Sequence, residues 1–157
     1  MTQPNARCLI LACGNPLRSD DGIGLWLAAW AEQRFIHQAG IKIIARQQWT
    51  PELAEDVSHA QSVLFIDCSV DAASGSIQLS PVEPAAAGQG IATHHSGAAE
   101  LLALSRDLFH SLPKNAQLLT IGAGSTALGE GFSEAVTAAL PEACRRIEEA
   151  VLYLIAL

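Results

Sequence analysis

Six residues, Cys8-Leu9-Ile10-Leu11-Ala12-Cys13, run without a charged or amide side chain and end abruptly at Gly14-Asn15-Pro16. A run so short and so uniformly apolar, closed by turn-forming residues, predicts a strand buried on both faces. That points to a sheet covered by helices on each side. The rest of the chain alternates accordingly. From about Gly22 to Ala39, apolar residues at Ile23, Leu27, Trp30, Ala31 and Phe35 recur at helical spacing, with Ser19, Asp20 and Asp21 as capping candidates. Ile41 to Ala45 reads as a second strand. Thr50-Pro51-Glu52 opens a short helix, with Thr50 as N-cap and Pro51 at its first position. Ser62 to Asp67 is a third strand, and Ser76 to Val82 a fourth. Only about eight residues separate those two, fewer than the dozen a parallel crossover needs, so the fourth runs antiparallel. A helix from about Gly97 to His110, a fifth strand from Gln117 to Gly122 and a closing helix from about Glu134 to Leu157 complete the order. Pro141 predicts a kink or break in that last helix. The expected fold is an α/β three-layer sandwich, with a mixed, mostly parallel five-stranded sheet.

At 157 residues, half of them hydrophobic, the chain suits one compact domain over 1–157. No repeat or charge block divides it, and Pro84-Ala85-Ala86-Ala87-Gly88-Gln89-Gly90 reads as a loop within that domain. Nine basic against sixteen acidic residues give a net charge of −7, the wrong sign for gripping nucleic-acid phosphates. No apolar run reaches the roughly 18 to 20 residues of a spanning helix. With no signal-peptide pattern ahead of the first strand, a cytoplasmic location is expected. Four cysteines form no Cys-x-x-Cys pair and no disulfide framework. Cys8 and Cys13 should point to opposite faces of one strand as core thiols, and Cys144 packs in the last helix. Trp26, Trp30 and Trp49 are candidates for core or for an exposed partner surface.

In open α/β sheets, sites form beyond the carboxyl ends of strands where the strand order reverses, commonly between the first and third strands. Here both strands lead into acid. The first enters Gly14-Asn15-Pro16-Leu17-Arg18-Ser19-Asp20-Asp21-Gly22-Ile23-Gly24, and the third ends at Asp67. If the strands are neighbours, a carboxylate from the Asp20–Asp21 pair faces Asp67, and two carboxylates in one cleft persist by sharing a proton or a cation. Thr93-His94-His95-Ser96, ahead of the third main helix, holds the nearest candidate third ligand. Two carboxylates and an imidazole suit a first-row divalent ion. Duller roles compete: Asp20 as a cap or first-turn acid, Asp67 and Asp71 as turn formers, His37, His59 and His110 as solvated residues. Arg18 reads as an anion or substrate contact or as an exposed charge. The segment lacks both Gly-x-Gly-x-x-Gly and a Walker spacing, which disfavours a nucleotide loop.

The Gly14–Gly24 segment after an apolar strand resembles the opening signature of the NiFe-hydrogenase maturation endopeptidases. Phe65-Ile66-Asp67 followed by Ser74-Gly75-Ser76, and Thr93-His94 ahead of Glu100-Leu101-Leu102, are similar to two further motifs of that family, in the same order. The resemblance implies a phosphorylase/hydrolase-like sandwich with one antiparallel strand. It implies a metal-binding and catalytic trio of Asp21, Asp67 and His94, with Asn15, Arg18 and His95 as substrate-contact candidates. It also implies an activity: removal of the C-terminal extension of the hydrogenase large-subunit precursor after nickel insertion. The nickel is then the substrate's own, used for recognition or for catalysis, and no tightly bound cofactor of the protein itself is expected. No Ser-His-Asp or Cys-His arrangement offers a nucleophile, so water is the expected attacker. The chain departs from better-known branches after the second strand, where Arg46-Gln47-Gln48-Trp49-Thr50 replaces a Gly-Gly-Ser or Gly-Gly-Thr turn, and after the fifth, where Ala123-Gly124-Ser125 replaces Gln-Pro. Those regions should flank the cleft. Cys68, beside Asp67, is a buried thiol or a soft accessory ligand. Two other classes compete with the peptidase: a non-catalytic nickel-sensing chaperone of hydrogenase assembly, and an autonomous metallohydrolase.

Overall fold

The computed structural model describes residues 5–86 and 97–157. Within them, strands β1 (Cys8–Cys13), β2 (Ile41–Arg46), β3 (Ser62–Ser69), β4 (Ile77–Pro81) and β5 (Asn115–Gly122) form one sheet in the order β2-β1-β3-β5-β4. β1 runs parallel to both β2 and β3, and β3 parallel to β5. β4 is antiparallel to β5, as the short link after the third strand requires. Helices α1 (Ile23–Arg34), α2 (Leu53–Ser58), α3 (Ala98–Phe109) and α4 (Glu134–Ala156) cover the sheet, and a 3-10 turn at Ser19–Gly22 leads into α1.

Strand alternation sorts the core into two layers. Cys8, Ile10, Ala12, Leu64 and Ile66 pack with α1 and α4, whereas Leu9, Leu11, Cys13, Val63 and Phe65 pack with α2 and α3. All six residues of β1 are buried, each large one worth about 1.5–3 kcal/mol on removal from water. The exposed edges carry polar or ring-blocked positions, Lys42 and Arg46 on β2 and Gln78, Ser80 and Pro81 on β4, which discourages a further strand from pairing there. Because α1 and α2 lie on opposite faces, the winding reverses between β1 and β3. That places a switch point at their carboxyl ends. No helix among the described residues is long and apolar enough to cross a membrane.

Three local expectations need correction. The first helix stops at Arg34 rather than Ala39. Phe35 turns into the core edge-on against Trp30, 6.2 Å between ring centroids, and Gln38 N–H donates to the Phe35 carbonyl at 2.9 Å, so the next residues serve as connection to β2. Thr50 does not cap α2, whose N-cap is Glu52; the Leu53 N–H reaches back to the Thr50 carbonyl, and a tight turn precedes the helix proper. Of the kink or break expected at Pro141, the break does not occur: α4 runs without interruption from Glu134 to Ala156. The ring lies on the exposed side while Val136, Ala143, Ile147, Ala150, Val151 and Leu154 anchor the helix on both sides of it, so buried apolar contact offsets one missing backbone hydrogen bond. Restoring that donor with Pro141→Ala should raise the unfolding free energy by about 2 kcal/mol, read as a higher urea midpoint at unchanged slope.

Candidate active-site cleft

The carboxyl ends of β1 and β3 open into a cleft of about 500 Å³ lined by Cys13, Gly14, Asp21, Gln47, Gln48, Trp49, Asp67, Cys68, Gly97 and Glu100. Asp21 and Asp67, 46 positions apart in the chain, therefore share one cavity. Parallel pairing of Ala12 with Ile66 sets the end of β1 level with Asp67, and β3 runs on to Ser69 rather than stopping at that acid as expected. The Asn15 N–H donates to Asp21 Oδ2 at 2.8 Å, and Asn15 Oδ1 accepts from the Leu17 N–H at 3.0 Å, which folds the loop back on itself. Asp67 Oδ1 accepts from the Cys68 N–H at 2.7 Å. The Cys13 thiol also donates to Asp67.

Two glycines of the motif are there for space. A Cβ on Gly14 would lie 2.0 Å from the Asp21 carbonyl oxygen, and one on Gly24 would lie 2.2 Å from the Cys13 carbonyl oxygen. The turn bearing Asp21 and the first residues of α1 can sit against the end of β1 only if both positions lack a side chain.

Asp20 and Asp21 divide the work. Asp20 is fully buried. Its Oδ2 accepts from the Gly124 N–H at 2.7 Å, the Ser125 N–H at 3.0 Å and the Ser133 hydroxyl at 2.8 Å, and its Oδ1 from the Ser133 N–H at 2.8 Å. Burial by itself would raise the Asp20 carboxyl, but the bonds from Ser133, Ser125 and Gly124 outweigh it and hold the group below the usual carboxylate range. The side chain is thus neither a cap of α1 nor a ligand: it clamps the turn to the segment that leads into α4, where Ser133 is the N-cap. Ser19, held at φ 50°, reinforces the clamp through its N–H to the Gly129 carbonyl and its hydroxyl to the Ala127 carbonyl, both at 2.8 Å. A non-glycine residue in that region marks a backbone held by its surroundings.

The cleft thiols are protonated. Burial, then the charges of Asp21, Asp67 and Asp20, push Cys68 up to about 12. Burial, followed by the charge and hydrogen bond of Asp67, raises Cys13 far above the ordinary thiol range. Neither presents a thiolate nucleophile at neutral pH. Trp49 closes one wall, buried edge-on against Phe65 at 5.3 Å, and its Nε1–H has no partner among the described residues.

The structure brings together Asp21 and Asp67 and positions Asn15 at their rim. Arg18 is exposed and donates to the Thr126 carbonyl at 3.4 Å, outside the residues lining the cleft. His94 and His95 lie outside the described residues, and among the described residues no group of three or more His, Cys, Asp or Glu is placed to hold a metal ion. Gln47, Gln48 and Trp49 flank the cleft as expected of the segment after β2, whereas Gly124 and Ser125 serve the Asp20 clamp. Unforeseen is a third acid, Glu100, in the first turn of α3. The available signal was its place at the third position of a helix starting at the cleft, where an acid is more simply read as favouring the helix N-terminus.

No protein-family model matches the chain, and no curated protein sequence matches it significantly. Solved structures do. The hydrogenase maturating endopeptidase HybD from E. coli superposes with a TM-score of 0.77 at 23% identity, over 94% of this chain and 93% of that one. The solution structure of an endopeptidase from Escherichia coli gives 0.72 at 23%, over 90% and 89%. The NiFe hydrogenase maturation protease HycI from Thermococcus kodakarensis gives 0.65 at 21%, over 98% and 94%. The chain has the fold of these endopeptidases along nearly its whole length.

Because the native Asp20 carboxyl titrates below its unfolded value, its contribution to stability is complete above about pH 4 and is lost as pH falls through the lowered native value. Asp20→Asn, which keeps one acceptor oxygen for the three donors at Oδ2 but turns the other into a donor facing the Ser133 N–H and removes the charge, should cost about 3 kcal/mol at pH 7. Urea unfolding should show the gap between the two proteins narrowing below about pH 4.

Proposed function

We propose that this protein is an endopeptidase that removes the C-terminal extension of a NiFe-hydrogenase large-subunit precursor after nickel has been inserted. One observation carries the reading: Asp21 and Asp67, delivered by separate motifs, line one cleft at the switch point of a fold shared with the maturation endopeptidases. The named relatives are described as acting in hydrogenase maturation, and the three ordered motifs bring that role to this chain.

In this reading Asp21, Asp67 and His94 dock onto the nickel carried by the precursor. Carboxylate oxygens and an imidazole nitrogen are donors that a first-row divalent ion accepts. The Asn15 N–H engages Asp21 Oδ2 and fixes the carboxylate's orientation. Asp67 is fixed in the same way by the Cys68 N–H and the Cys13 thiol. Both acids are thereby preorganised by neighbouring donors. Bound nickel either polarises the scissile carbonyl or activates water, or serves as the handle that holds the bond in place. In this reading the attacker is water, since the sequence offers no Ser-His-Asp or Cys-His arrangement to supply a side-chain nucleophile.

Nickel-loaded precursor incubated with the wild type should lose its extension as seen by intact-mass spectrometry, and nickel-free precursor should keep it. Asp21→Ala, Asp67→Ala and His94→Ala should each slow processing by at least about 100-fold. Tight association with an unshortened precursor would replace the peptidase by a chaperone. Near-stoichiometric metal surviving dialysis of the isolated protein would favour an autonomous metallohydrolase.

A further inference from the structure

On the far side of the Asn15–Gly22 loop from the cleft lies a second cavity, of about 380 Å³, lined chiefly by Pro16, Leu17, Leu25, Trp26 and Phe132 with Glu130 at its rim. Leu17 is 55% and Trp26 41% exposed. Apolar side chains held together in solvent around a concavity mark a binding surface rather than scattered surface residues.

The groove is preformed. Its two walls, the 16–18 loop and the 128–132 segment, are bolted together: the Gly129 N–H donates to the Leu17 carbonyl and the Ser19 N–H to the Gly129 carbonyl, both at 2.8 Å, with the Asp20 clamp beneath. It is also next to the cleft, because a single loop supplies Gly14 and Asp21 to one cavity and Pro16, Leu17 and Gly22 to the other. A polypeptide held with one bond at Asp21 and Asp67 crosses that loop with a few residues of extended chain, at roughly 3.3 Å each.

We infer that the groove seats apolar side chains of the substrate polypeptide, a few residues from the bond to be cut; this rests on the peptidase reading. The cleft supplies the acids, and the groove selects the segment presented to them. A rigid apolar pocket beside the cleft lowers the cost of ordering an extended peptide, so its loss weakens substrate binding more than turnover.

Leu17→Glu and Trp26→Glu change exposed side chains that are not among the residues lining the cleft. Leu108→Glu, on the exposed outer side of α3, serves as the control. With nickel-loaded precursor, the two groove variants should raise KM by tenfold or more with kcat within about twofold of wild type, while Leu108→Glu leaves both unchanged. Precursor binding should also quench or shift Trp26 emission, a signal lost in Trp26→Phe. A KM within twofold of wild type in both groove variants overturns the proposal, as does a concentration-dependent dimer that Leu17→Glu dissolves, which would make the groove a contact between copies of this chain. If wild type binds the precursor through the groove without cutting it, the peptidase reading fails and the docking surface stands. Absence of any complex overturns both.

Discussion

The parallel pairing of β1 with β3 is the constraint on which the rest of the molecule depends. Both strands are buried on both faces, so their side chains are committed to two opposite cores and the register cannot slip without exchanging those cores. Because the strands run the same way, their carboxyl ends emerge together, and the loops that follow meet at one edge of the sheet. An acid near the end of β3 and an acid in the turn after β1 become a pair of acids in one cavity. Nothing in the chemistry of Asp21 or Asp67 alone brings them together; the hydrophobic sorting of Leu9, Leu11, Val63 and Phe65 does.

The second organising interaction is electrostatic and local. Asp20 spends its charge on four donors from the segment that enters α4, and through them the turn after β1 is tied to the last helix of the chain. Its neighbour Asp21 is consequently held at the cleft. Two adjacent carboxylates thus have opposite tasks set by environment: one buried and satisfied by protein, the other at a cavity wall. The same clamp aligns both sides of the apolar groove, so the arrangement that places the acids also shapes the surface beside them.

Much of this was legible in the residues. Uniform apolar runs marked β1 and β3, the short link after β3 marked β4 as antiparallel, and acids beyond strand ends marked the cleft. The misreadings share one cause. The end of α1, the entry to α2 and the continuity of α4 through Pro141 are decided by what packs against them, and local propensity is weak beside tertiary burial. Asp20 was open to the same error. A carboxylate before a helix is most simply a cap, and only donors from Gly124, Ser125 and Ser133, more than a hundred positions away, make it a clamp.

What the amino-acid sequence determined by itself was the order and type of the elements and the acids at their ends, because periodicity and turn chemistry are properties of neighbouring residues. That Asp20 is spent on a buried clamp, that Glu100 and two thiols line the cavity beside Asp21 and Asp67, and that Trp26 stands in solvent while Trp49 is buried were decided only in the folded state. Those outcomes depend on contacts between segments far apart in the chain, and no local pattern encodes them.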